Sequence, residues 1–204
     1  MIAIIDYGVG NLFSLKSSLD FLGFDNTVTG DEETVKKADK IILPGVGAFA
    51  DAAASLEKCG LASVVCDEAR SGKPIMGICL GMQLLFERSF EYGEHKGLGL
   101  IKGSVVPIAD AVDDSYKIPH IGWNPLHFVG KKNEIFKYIN EGDCVYFVHS
   151  YYAADCDDSV IATADYGAPL TAAVASGSVY GCQFHPEKSG AVGLNILRAF
   201  CEMR

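Results

Sequence analysis

The sequence predicts an α/β protein: a mixed, mostly parallel central sheet with flanking helices, and extra antiparallel strands in the second half. Three observations predict it. Short, continuously apolar runs alternate with stretches of helical period up to residue 86; short strands and turns dominate from Leu100 to Gln183; and an amphipathic helix closes the chain. With 204 residues, 49% hydrophobic and 21% charged, the chain can bury a sizeable core, and we expect one domain over 1–204.

Met1 to Asp6 is a continuous apolar stretch, the pattern of a parallel strand buried on both faces. Leu12, Leu15, Leu19 and Leu22 then recur at helical spacing until Gly23 supplies a C-terminal stop. A weaker strand at Asn26 to Thr29, a short polar helix near Asp31 to Ala38, a strand at Lys40 to Leu43 and a helical region from Phe49 to Arg70 continue the alternation. Pro74 to Ile78 reads as the next strand, feeding a helix expected to carry Met82, Leu85 and Phe86 on its inner face. Beyond it, LIKGSVVPI, DCVYFVHSYY, SVIATADYG, PLTAAVASG and SVYGCQF read as strands, with one short helix near Asn133 to Ile139. The last helix, Val192 to Cys201, shows the stripe Val192, Ile196, Leu197, Phe200. There is no repeat, linker or low-complexity segment.

Charge and cysteine usage exclude several classes of function. The 17 basic against 26 acidic residues give a formal charge of −9, without the basic surfeit that binding a phosphate backbone needs, so no nucleic acid partner is expected. MIAIIDYG carries no basic leader or cleavage-like site, and no apolar run of about 18 residues follows. We expect a cytoplasmic chain with no membrane contact. Seven cysteines without C-x-x-C spacing fit reduced thiols better than a disulfide framework or a zinc site, and no metal is expected.

In Gly77-Ile78-Cys79-Leu80-Gly81 a cysteine stands where a buried strand turns straight into a helix. A residue on such a turn exposes its side chain at the carboxyl edge of the sheet, and glycines two before and two after it avoid colliding Cβ atoms. The start of a helix favours thiolate over thiol. Cys79 is therefore a candidate nucleophile, the alternative being a small buried cysteine that tolerates close packing.

A nucleophilic thiol needs a base, and the base needs an orienting partner. QFHPEKS, residues 183 to 189, offers both: in extended backbone His185 and Glu187 fall on one face, and Pro186 marks a strand end. The alternative is a surface ion pair. His95 lies in a charged loop, His120 and His127 flank an aromatic turn, and His149, the strongest rival, follows an apolar strand; none has an acid two residues on. Leu80 and the glycine-rich IILPGVGAF are placed to supply oxyanion donors. No dinucleotide or Walker-type glycine motif occurs, which disfavours cofactor-dependent chemistry.

LPGVGAF, GICLGMQLLFE, PHIGWN, YFVHSYY and QFHPEKS, in this order and at about these separations, closely resemble the class I glutamine amidotransferases. The opening IIDYGVGNLFSLKSSLDFLG extends the similarity over essentially the whole chain. GICLGMQ with HPEKS is the specific part; PGVG or YGVGN alone is not. Within the family, the nearest resemblance is to the glutaminase subunits of the imidazole glycerol phosphate synthases of histidine biosynthesis.

The resemblance implies a flavodoxin-like sheet and a triad of Cys79, His185 and Glu187 acting on the side-chain amide of L-glutamine. It implies an oxyanion hole of Gly45, Val46, Gly47 and Leu80, and glutamine contacts from Gln83, Glu91, Ser150 and Tyr151, with no cofactor. Taken singly, Gln83 reads as helix surface, Glu91 as one of several loop acids and Tyr151 as a half-buried strand aromatic.

Free ammonia is protonated in water and stops being a nucleophile, so its release serves synthesis only beside an acceptor. After the glutaminase elements are counted, 204 residues leave no room for a second substrate domain, and an acceptor subunit is expected. In the family this is a (β/α)8-barrel cyclase, joined as a heterodimer, which makes imidazole glycerol phosphate and an aminoimidazole carboxamide ribotide. Asn11, Trp123, Tyr146 and Lys188 match the family's contact surface. Trp123, the only tryptophan, sits in a Gly-Trp-Asn turn and is read as an exposed anchor or as core packing.

Ile121, Pro125 and Gly190 depart from the family pattern without touching the triad. The resemblance also implies low activity in the isolated chain, with the partner completing the oxyanion hole by turning a peptide in Pro44 to Gly47. Two competing readings are an amidotransferase serving another acceptor, such as a surface sugar, and a non-catalytic interaction subunit.

Overall fold

The alternating apolar and helical segments of the first half build the centre of the computed structural model, which describes residues 1–203. In chain order these are β1 (Ile2–Ile5), α1 (Leu12–Phe21), β2 (Asn26–Thr29), α2 (Glu32–Lys37), β3 (Lys40–Leu43), α3 (Phe49–Lys58), α4 (Leu61–Arg70), β4 (Ile75–Ile78) and α5 (Leu80–Leu84). The second half adds β5 (Phe86–Ser89), β6 (His95–Lys96), β7 (Ile101–Pro107), β8 (His120–Pro125), β9 (His127–Phe128), β10 (Cys144–His149) and β11 (Tyr151–Ala154). It closes with β12 (Val160–Asp165), β13 (Pro169–Ser176), β14 (Val179–Cys182) and α6 (Gly190–Glu202).

The main sheet runs β2-β1-β3-β4-β14-β13-β12-β9. Its first five strands are parallel, in the doubly wound order of flavodoxin-like sheets, and β13, β12 and β9 continue it antiparallel. β1 explains why the runs are apolar throughout: Ala3 and Ile5 join one core with Phe49, Leu56, Leu61 and Val65, while Ile2 and Ile4 join the other with Leu15, Leu19, Ile196 and Phe200. Both faces are covered by helices. Among the described residues no helix is long and apolar enough to cross a membrane.

Several expectations are corrected. The helical region from Phe49 to Arg70 is two helices, because Gly60 takes φ +77° between them. The helix after Cys79 stops at Leu84, and Phe86, expected on its inner face, begins β5. Its last carbonyls are taken by an incoming segment: Leu98 N–H donates to Leu84 O at 2.8 Å, and the N–H groups of Leu100 and Ile101 donate to Leu85 O at 2.8 and 3.0 Å. The PHIGWN turn is strand β8, paired antiparallel with β10 so that Trp123 faces Tyr146. DCVYFVHSYY is two strands in different sheets, broken at Ser150, whose carbonyl accepts Ile108 N–H at 2.9 Å. The short helix near Asn133 is a single 3-10 turn, Glu134–Phe136, and the last helix runs on from Gly190 to Glu202.

Candidate active site

The strand-to-helix corner is built on sterics. Cys79 holds φ +54° and ψ −113°, and its N–H donates to Cys182 O of β14 at 2.7 Å. A Cβ on Gly81 would stand 1.9 Å from Leu43 O, one on Gly77 2.6 Å from Gly81 O, and one on Gly45 2.7 Å from Gly81 N. The three glycines therefore let the ends of β3 and β4 and the start of α5 converge with no side chain between them. Tyr7 closes the packing from β1, its buried hydroxyl donating to Pro44 O at 2.7 Å.

Parallel pairing sets Cys182 of β14 beside Ile78 of β4, so the residues that follow each strand emerge at one sheet edge. Cys79 follows one strand and Gln183 to His185 the other. His185 and Glu187 meet through a 3-10 turn, Pro186–Lys188, rather than along the extended backbone expected, because Lys188 N–H donates back to His185 O at 3.0 Å. Glu187 Oε1 lies 2.9 Å from His185 Nδ1, and both side chains are 3% exposed. The backbone is clamped as well: Ser189 Oγ donates to His185 O at 2.6 Å and accepts Tyr146 N–H at 2.9 Å.

Burial acts to lower the His185 pKa, but hydrogen bonding and charge from Cys79 and Glu187 outweigh it and raise it to about 9. The imidazole is therefore charged at neutral pH, a suitable partner for a thiolate. Glu187 Oε2 is buried without a partner.

A cavity of about 330 Å³ opens in front of the sulfur. Cys79 and His185 line it together, with Val46, Gly47 and Leu80 from the expected oxyanion set and Gln83, Glu91, Ser150 and Tyr151 from the expected glutamine set. Gly45 is absent from its wall and borders a smaller cavity behind it, shared with Asn11 and Glu187. Gly47 takes φ +94°. The Glu91 carboxylate accepts the N–H of Phe49, which fixes the acid at the rim. Lys188 also reaches the main cavity. Trp123 is 55% exposed, its ring 5.9 Å from that of Tyr146, so it is a surface residue and not core packing.

One further contributor carried no signal readable in isolation. Gln183, fully buried, donates through Nε2 to Cys79 Sγ at 3.8 Å. Gln83 Nε2 donates to Gln183 Oε1 at 3.0 Å and to Tyr151 O at 3.1 Å, so helix α5, the sulfur and the far wall share one amide network. The rival His149 also lines the cavity, but its Nδ1 lies 2.9 Å from Tyr151 O and no carboxylate holds it. Burial lowers its pKa to about 4, leaving it uncharged. Among the described residues no group of three or more His, Cys, Asp and Glu side chains converges to hold a metal.

Comparison with known proteins bears on the family and the fold. The family model for glutamine amidotransferase class-I matches residues 3–203. The imidazole glycerol phosphate synthase subunit HisH of Caldanaerobacter subterraneus subsp. tengcongensis is 48% identical over 204 residues, covering 100% of this chain and 98% of that one. The subunit of the same name from Lactococcus lactis subsp. lactis is 48% identical over 202 residues, 98% of each chain. Among solved structures, PurLQS from Thermotoga maritima superposes with a TM-score of 0.76 at 22% identity, covering 98% of this chain and 96% of that one, a likeness of fold.

Proposed function

The chain belongs to the class I glutamine amidotransferase family, and from that premise we propose that it is a cytoplasmic glutaminase subunit of imidazole glycerol phosphate synthase, supplying ammonia for histidine biosynthesis. The observation that carries the reading is the Cys79 sulfur on its strained corner, sharing one cavity with His185, whose ring a buried Glu187 carboxylate holds.

The Cys79 thiolate attacks the carboxamide carbon of L-glutamine, and negative charge collects on the amide oxygen. The N–H of Leu80, first residue of α5 and without a helical acceptor, faces that charge together with the backbone of Val46 and Gly47; Gly45 serves by letting this loop approach. His185, charged at the outset, gives its proton to the departing nitrogen, and ammonia leaves a glutamyl thioester. The now neutral imidazole takes a proton from water, whose oxygen attacks the thioester; glutamate leaves, and thiolate and imidazolium are restored. Glu187 holds the ring and offsets its charge. Gln183, donating to the sulfur, steadies the thiolate. Glu91 and Ser150 with Tyr151 hold the substrate's amino-acid end, and Gln83, both of whose amide hydrogens are spent, offers its oxygen.

The acceptor is a (β/α)8-barrel cyclase bound as a heterodimer against Asn11, Trp123, Tyr146 and Lys188. Lys188, one of these expected contact residues, also lines the cavity, which supports this reading. The test is ammonia and glutamate release by the complex of the two subunits with the cyclase ligand bound. Cys79→Ala is expected to abolish it, and the isolated chain to be slow. Turnover retained in Cys79→Ala refutes the assignment, and fast turnover by the chain alone refutes its dependence on the partner.

A further inference from the structure

One wall of the cavity is tied to strand β8 by a line of hydrogen bonds that the triad does not use. It starts at Tyr151 O, 2.9 Å from His149 Nδ1; His149 Nε2 lies 2.9 Å from His120 Nδ1; His120 Nε2 lies 2.8 Å from Asn124 Oδ1; and Asn124 Nδ2 donates to Asp165 O at 3.0 Å. Both ends are backbone carbonyls, which only accept. Each of these four contacts needs one hydrogen.

Two neutral imidazoles and the Asn124 amide bring only three hydrogens to those positions. Turning the Asn124 amide over does not mend the count, because its oxygen would then oppose the Asp165 carbonyl. Full satisfaction requires a second ring proton on His120 or on His149. The surroundings oppose that charge. His120 is 1% exposed and stacks between Phe147 and Tyr166, with ring centroids at 5.1 and 4.1 Å. Charge on His185 disfavours charge on His149. The Asp165 carboxylate turns instead toward His127, at 3.5 Å, and the Tyr166 hydroxyl donates to Lys117 O at 2.6 Å. Burial lowers the pKa of both His120 and His149.

His149 thus keeps its single hydrogen on Nδ1 for the Tyr151 carbonyl, and His120 has one hydrogen for two acceptors. We propose that His120 is a positioning residue whose one ring proton is shared between His149, at the cavity wall, and Asn124, on the strand beside Trp123. The cavity wall and Asn124, on the same face of β8 as His120, then compete for a single hydrogen bond. Whatever fixes Asn124 draws the proton off His149 and loosens the hold on Tyr151; whatever fixes the wall draws it back.

The test uses the full chain, labelled with ¹⁵N in histidine, near neutral pH. The expected spectrum has His149 protonated at Nδ1 and bare at Nε2, with both His120 nitrogens between the protonated and bare positions. In Asn124→Ala the His120 proton is expected to settle on Nδ1. A His120 that is fully charged, or locked on Nε2 and unmoved by Asn124→Ala, overturns the proposal.

Affinity supplies the second arm, measured calorimetrically for glutamine in a Cys79→Ala background, and this arm rests on the glutaminase reading. His120→Phe keeps the stacking but strands His149 Nε2, and is expected to weaken binding about tenfold. Asn124→Ala removes the competitor and is expected to tighten binding about twofold, the gain when a half-populated competent state becomes fully populated. Weakening by both variants marks mere structural damage and overturns the proposal. Should His120→Phe fail to fold, the spectra and Asn124→Ala still decide. Failure of glutamine to bind the Cys79→Ala parent sinks the glutaminase reading, while the spectra go on testing the shared proton.

Discussion

The backbone of Cys79 makes a quantitative prediction that is independent of its chemistry. Its φ of +54° and ψ of −113° correspond to the first corner position of a type II′ turn, which glycine occupies freely and L side chains avoid. A non-glycine residue held there stores about 1–3 kcal/mol of strain. Cys79→Ala and Cys79→Gly both delete the sulfur, but only glycine releases the strain, against an entropic cost of about 0.4–1 kcal/mol through the unfolded chain. The balance makes Cys79→Gly the more stable variant by about 1.3 kcal/mol at the middle of these ranges, the reverse of the usual alanine-over-glycine order. At about 2–4 °C per kcal/mol for a chain of this size, its Tm should lie roughly 3–5 °C higher. Urea and thermal unfolding followed by circular dichroism measure this directly, and both variants are inactive, so no substrate effect intrudes. A Cys79→Ala chain as stable as Cys79→Gly, or more so, would show that the corner stores no strain and that its geometry has another cause.

Further outcomes follow from the same site. In Gly81→Ala the new methyl must open 1.9 Å from Leu43 O, so β3 and α5 separate; we expect a loss of stability of about 3 kcal/mol, the upper end for overpacking, and collapse of turnover. His185, held at about 9 against an ordinary 6.5, stabilises the fold fully below pH 6.5 and loses that contribution as pH rises through 9; His149, held at about 4, contributes above 6.5 and loses it as pH falls toward 4. Urea midpoints across pH should therefore peak near 6.5 and fall on both sides, by up to about 3 kcal/mol on each, and Cys79→Ala should move the alkaline fall to lower pH; a flat profile contradicts both shifts. Trp123→Ala should leave the Tm within about 2 °C, since the ring is largely exposed, yet weaken the cyclase complex by at least about tenfold in calorimetry; unchanged affinity removes Trp123 from the interface.

The parallel half of the fold was legible because its determinants are local. β1 and β4 are apolar at every position and β3 at all but its first residue, Lys40, and the helix after β1 keeps a 3.6-residue period up to the glycine stop at Gly23, whereas the stop at Gly60 was not read. Gly77, Cys79 and Gly81 were legible for a different reason, since only a close approach of backbones demands that spacing. What escaped depends on partners distant in sequence. Phe86 leaves the helix because Leu98 to Ile101 capture its carbonyls, and no residue near Phe86 announces them. His120 to Pro125 contains a glycine and a proline and reads as a turn until β10 supplies its ladder. Gln183 looked like an ordinary strand end, because its role lies in a contact with a sulfur 104 positions earlier. The pairing of His185 with Glu187 was foreseen, although the turn that brings them together was not.

The far margin of the main sheet has a consequence for behaviour at high concentration. β9 is only two residues long, and the Phe128 amide that could template another strand is instead satisfied by the Glu141 carboxylate, Oε2 lying 2.9 Å away. An incoming strand would have to displace an acid and bury its charge, so growth by edge-to-edge stacking is blocked at that border. Glu141→Val should therefore make the chain more prone to β-rich self-association, read by light scattering, with the cavity and its chemistry untouched.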